Sequence, residues 1–115
     1  MANRERVGTP GQIASTSGLL KFCEQHRHAP FWVQTLRECL DALERRDRSA
    51  VEKTCYILSQ GGMGSFLDWF PGVVFPNEDE QYVQALWEGL GCYWHLMMRP
   101  FIRPKGVSLP PPQEQ

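Results

Sequence analysis

The stretch Cys23-Glu24-Gln25-His26-Arg27-His28 concentrates the side chains that bind metals and carry protons. A metal would need more than this. On a helix Cys23 and His26 share a face while His28 points elsewhere, and the remaining histidine, His95, is far along the chain. Structural zinc uses four ligands, ordinarily in two spaced pairs, so no metal is expected. His95 follows Cys92 by three residues, one helical turn, but no nucleophile motif accompanies the pair. Asp68 is the one charge between Ser65 and Phe75, with no second carboxylate or histidine at short range to complete an acid–base pair. Its expected role is structural: a buried acceptor for the amides of Gly64 or Ser65. No catalytic residue, metal or cofactor is assigned.

The run Gly61-Gly62-Met63-Gly64-Ser65 breaks a chain that otherwise reads as helical. Consecutive amides in such a turn can form an anion nest. A phosphate loop, however, needs a lysine and a hydroxyl after its last glycine, and here Phe66-Leu67 follow Ser65. A structural turn is the stronger reading.

These residues must be positioned by helices. The 115 residues suit one domain, and 42% are hydrophobic, enough for a single core. Residues 1–16, rich in Gly, Ser, Thr and charge with a Pro10-Gly11 turn signal, read as a disordered tail. Ser17 would cap a helix from about Gly18 to His28. Pro30 opens a second helix, about Phe31 to Arg46, with Trp32, Leu36, Cys39, Leu40 and Leu43 on one face. A third is capped by Ser49 with Glu52, or by the rival Asp47, and ends at Gln60, with Gly61 as its left-handed cap. The second and third form an antiparallel hairpin. Phe66 to Phe75, broken by Pro71-Gly72, is an irregular aromatic segment whose hydrophobicity implies that it packs on the core. Asn77 starts the last helix, with Glu78, Asp79 and Glu80 in its first turn. Gly89 and Gly91 inside it suggest close packing on another backbone, such as the hairpin. The expectation is an all-α, four-helix domain over 17–103 and a Pro-rich tail over 104–115.

Charge is uneven. Through Thr54 there are nine Lys/Arg against seven Asp/Glu; from Cys55 on, three against six. No basic residue lies between Lys53 and Arg99. A net charge of −1 gives no whole-chain reason to bind nucleic acid or a membrane. A polar start and no apolar run of membrane-spanning length suggest a cytoplasmic protein. The four cysteines form no C-x-x-C pair and sit among apolar residues, as free buried thiols do.

A helical hairpin, then Gly61-Gly62-Met63-Gly64-Ser65 with Asp68, then an acid-started helix resembles a bacterial helical domain family of unknown function. The likeness covers about Pro30 to Met98, and Leu67 departs from the polar residue that precedes the aspartate in that family. The resemblance implies a bacterial helical domain and no chemistry. The acidic aromatic half carries the functional expectation. Glu78, Asp79, Glu80, Tyr82, Trp87 and Glu88 form a candidate partner surface, with aromatic anchors and acids that steer a basic protein. This points to a non-enzymatic binding module, in its most specific form an immunity or inhibitor protein against a basic toxin domain. The alternative is a structural or assembly subunit that forms homo-oligomers, a homodimer at simplest, through its last helix.

Overall fold

Thr9 starts the first helix. Its hydroxyl accepts from the Gln12 amide (3.3 Å) and the Gln12 side-chain oxygen accepts from the Thr9 amide (3.1 Å), with Pro10 at the first helical position. This is a complete capping box. The computed structural model describes residues 6–60 and 65–102. In it α1 spans Pro10–Gln25, α2 Pro30–Arg45, α3 Arg48–Ser59 and α4 Glu80–Met98, followed by a 3-10 turn at Arg99–Phe101. Residues 10–16, expected as tail, are therefore the first turns of α1. Pro10-Gly11 is a helix start rather than a turn, and Ser17 lies inside the helix. Residues 1–5, Gly61, Gly62, Met63 and Gly64, and the chain from 103 onward lie outside the described residues, so the glycine turn and the Pro-rich tail are not part of this description.

The two turns joining α1 to α2 and α2 to α3 have the same design. Arg27 (φ 65°) and Arg46 (φ 58°) occupy the left-handed position usually given to glycine. The next amide closes each turn, His28 onto the Cys23 carbonyl and Asp47 onto the Ala42 carbonyl, both at 2.9 Å. Arg46 thus ends α2 rather than belonging to it. Asp47, not Ser49, caps α3 by accepting from the Ala50 amide (3.2 Å), while Glu52 pairs with Arg48 (3.0 Å). Asp79, not Asn77, caps α4, accepting from the Tyr82 amide at 2.8 Å.

α1 packs between α2 and α4, and α3 packs on the far side of α2. Leu36, Cys39, Ala42 and Leu43 of α2 meet Val51, Cys55 and Leu58 of α3 in a dry interior. Each fully buried leucine contributes about 1.5–3 kcal/mol. Trp94 crosses from α4 to α1, where its Nε1–H donates to the Thr16 hydroxyl (3.0 Å), so the buried indole leaves no polar atom stranded. Phe101 returns the chain to α3 beneath the Arg48 guanidinium, 5.0 Å from the ring centroid. Gly89 and Gly91 do not pack against the hairpin: a methyl group placed at either would meet nothing within 4 Å. Among the described residues no helix is long and apolar enough to cross a membrane.

Candidate functional site

Residues 65–79 form turns and bends, without helix or strand. They are held down by rings and imidazoles drawn from four parts of the chain. The Arg27 turn at the end of α1 aims His28 inward, where it stacks on Trp69 (centroids 3.9 Å) and on Phe66 (5.2 Å). Trp87 of α4 meets Phe66 and Trp69 edge-on, at 5.5 and 4.9 Å, and stacks on Phe22 of α1 at 5.9 Å. Edge and offset-stacked pairs like these add about 0.5–1.5 kcal/mol each beyond area burial.

The two histidines are bonded differently. His28 Nε2–H donates to the Phe66 carbonyl (3.0 Å) and Nδ1 accepts from the Ala29 amide (2.8 Å), which fixes one neutral tautomer. Burial lowers its pKa, against the raising effect of the Phe66 bond. His26 instead has an oxygen on each side: Nδ1–H donates to the Phe22 carbonyl (3.2 Å), and Nε2 lies 2.9 Å from the Glu78 carboxylate. The ring satisfies both acceptors when each nitrogen carries a hydrogen. Glu78 also accepts from the Val74 and Phe75 amides (3.0 and 3.2 Å). Burial pushes its carboxyl up, but those amides and His26 outweigh burial and hold it below the usual range. The side chains of this pair are only 2% and 7% exposed. The chemistry this arrangement supplies is anchoring: the His26–Glu78 pair ties residues 74–78 to the end of α1, and both imidazole nitrogens are occupied.

The residues expected at a partner surface are thus divided. Glu78 is consumed by His26 and lies outside α4, and Trp87, 6% exposed, is an interior ring. Neither is presented to a partner. Asp79, Glu80, Tyr82 and Glu88 are exposed, with Glu88 accepting from the Gln84 side chain (2.9 Å). Asp68 is exposed rather than buried, and its amide donates to the Ser65 carbonyl (3.1 Å). Missed by sequence reasoning were Leu67, Phe70, Val73, Val74 and Phe75, all exposed, with Phe70 at 82%. Their apolar character pointed to the core, yet only Phe66, Trp69 and Pro71 of this run turn inward.

The other candidates disperse. Cys23 is fully buried, and burial and the neighbouring Glu24 push its thiol up to about 12. Cys39 and Cys55 are buried free thiols, and Cys92 is free but exposed. His95 Nδ1–H donates to the Gly91 carbonyl within its own helix (3.2 Å). Among the described residues no three His, Cys, Asp or Glu gather as a metal-binding group. A solvent-open groove of about 510 Å³ between α2 and α3 is lined by residues that include Arg37, Asp41, Arg45 and Lys53, none of them in the aromatic cluster; Arg45 and Asp41 pair with each other there (2.8 Å). No protein-family model, curated protein or solved structure matches the chain.

Proposed function

We propose that this chain is a protein-binding module that acts without catalysis and presents residues 67–74 as its contact surface. The observation that carries this reading is Phe70, 82% exposed on the same loop as the exposed Leu67, Val73 and Val74. Apolar groups gathered on an anchored loop favour a partner that removes them from water. Asp68 lies within this stretch and Asp79 and Glu80 follow it, all three exposed, and no lysine or arginine falls between Lys53 and Arg99, so the charge along this segment is acidic. Acidic charge of this kind speeds encounter with a basic protein and makes binding salt-sensitive. The most specific form of the proposal is an immunity or inhibitor protein, in a bacterial cytoplasm, that covers a basic toxin cleft. The likeness of Gly61–Ser65 to a bacterial helical domain family is part of the same proposal.

The test is affinity capture from the source cells with the wild-type chain and with Phe70→Asp, at low and high salt. One stoichiometric basic partner, weakened by salt and lost with Phe70→Asp, supports the reading. A partner retained by Phe70→Asp, or none, contradicts it.

A further inference from the structure

The α2–α3 hairpin is symmetric about Asp47. Arg46 and Asp47 are its whole connection, so residues equally far from Asp47 on the two helices face each other. Leu43 and Val51 stand four residues to either side, Cys39 and Cys55 eight, Leu36 and Leu58 eleven. Steps of four and then three keep each set on one face of its helix. All six residues are fully buried. The outer two rungs of this ladder are aliphatic. The middle rung is a pair of cysteines, and their thiols are hydrogen-bonded to each other. Either cysteine alone would pack as a small hydrophobe. Placed opposite each other, they also hold the two halves of a disulfide.

The two sulfurs are not equivalent. The Cys55 S–H donates to the Cys39 sulfur. That bond, with the Thr54 hydroxyl beside it, outweighs burial and draws the Cys39 thiol below its ordinary value, while the same bond and burial push Cys55 up. The thiolate is the nucleophile in thiol chemistry, so Cys39 is the sulfur that attacks and Cys55 the thiol that resolves. We propose that Cys39 and Cys55 are a redox pair that closes to a disulfide when the chain meets a hydroperoxide. The Cys39 sulfur takes one peroxide oxygen as the O–O bond breaks, which leaves a sulfenic acid and releases an alcohol, or water from hydrogen peroxide. The Cys55 sulfur then attacks the Cys39 sulfur, the S–O bond breaks and water leaves. Two thiols lose two hydrogens and two electrons, and the peroxide is reduced by the same two electrons. In reducing surroundings the pair stays as the dithiol. The cross-link encloses the 15 residues 40–54 and restrains the unfolded chain. Cys23, pushed up to about 12 by burial and Glu24, stays a thiol. The inference involves neither residues 67–74 nor the function proposed above.

The experiment treats the full chain with hydrogen peroxide and maps its cysteines by mass spectrometry of non-reduced peptides. A Cys92→Ser background removes the exposed thiol. The expected product is a Cys39–Cys55 cross-link, reversed by dithiothreitol, with a melting temperature raised by about 10 °C. Cys55→Ala should lose the cross-link and accumulate the acid oxidation products of Cys39 instead. Since both thiols are buried, the same chain is also refolded from denaturant in a glutathione redox buffer, where every thiol is open to exchange. The refolded helical chain should again join Cys39 to Cys55. Free thiols at both positions after both treatments, or a cross-link through Cys23, overturns the proposal. A pair that closes on refolding but resists peroxide in the folded chain overturns the hydroperoxide step.

Discussion

The α2–α3 hairpin and the layer that residues 65–79 lay over α1 and α4 are held by different kinds of contact. In the hairpin, aliphatic side chains at helical spacing close a dry interface. Thr54 satisfies its hydroxyl within its own helix, on the Ala50 carbonyl (3.0 Å), and Cys55, its thiol pushed up by the bond with Cys39 and by burial, behaves as a small hydrophobe. In the layer, the contacts are rings and imidazoles from distant parts of the chain. His26 reaches Glu78 across 52 residues and His28 reaches Phe66 across 38. The hairpin is a packing problem solved locally; the layer is a polar and aromatic fit that exists only once α1, α2 and α4 are in place. That is why the exposed apolar patch can sit on an irregular segment and still be held in one shape.

The largest effect separating the two regions should come from Trp87→Ala. Removing a buried indole that touches Phe22, Phe66 and Trp69 should cost about 3–5 kcal/mol in a chemical-denaturation experiment. A loss below about 1 kcal/mol would mean that the layer does not depend on its ring cluster. Acidification should come next. The pKa values of His28 and Glu78 are both lowered on folding, so the unfolded chain binds more protons and stability falls as pH falls. The decline should begin below the ordinary histidine value of about 6.5 and steepen below the ordinary glutamate value of about 4.3. Thermal unfolding between about pH 8 and about pH 2.5 reads this directly; a melting temperature that rises on acidification would contradict it. The smallest effect belongs to the hairpin. Arg46→Gly relieves a left-handed arginine at the α2 cap and should stabilise by about 0.5–1 kcal/mol, the gain being reduced by the freer unfolded chain. A destabilised variant would show that the arginine side chain matters more than its backbone strain.

The same contrast marks what could be read from the sequence. The α2 stripe of Leu36, Cys39 and Leu43 and the stop before Pro30 are local signals, and they place the hairpin. Asp47 was visible as a cap but competed with Ser49. The start of α1 was obscured because Pro10-Gly11 reads equally as a turn; the decisive Thr9–Gln12 reciprocity is a pattern of two residues. Helix ends at Arg27 and Arg46 carry no glycine, so the usual stop signal is missing. At the site the failures are long-range. Nothing near Glu78 announces His26, and nothing near Trp87 announces that Phe66 and Trp69 will cover it. Both therefore read as surface residues. Phe70 shows the reverse error, an apolar residue assigned to the core because its exposure is set by how the whole layer lies.

The account stands or falls on whether the His26–Glu78 pair makes residues 65–79 a fixed surface. Native-state amide hydrogen exchange, comparing the wild-type chain with Glu78→Gln, tests this most directly. The account predicts that the Val74 and Phe75 amides, which donate to Glu78, are protected in the wild type. In Glu78→Gln they should exchange much faster, while the amides of α2 and α3 keep their protection. Fast exchange of Val74 and Phe75 already in the wild type, or no change on substitution, would contradict it.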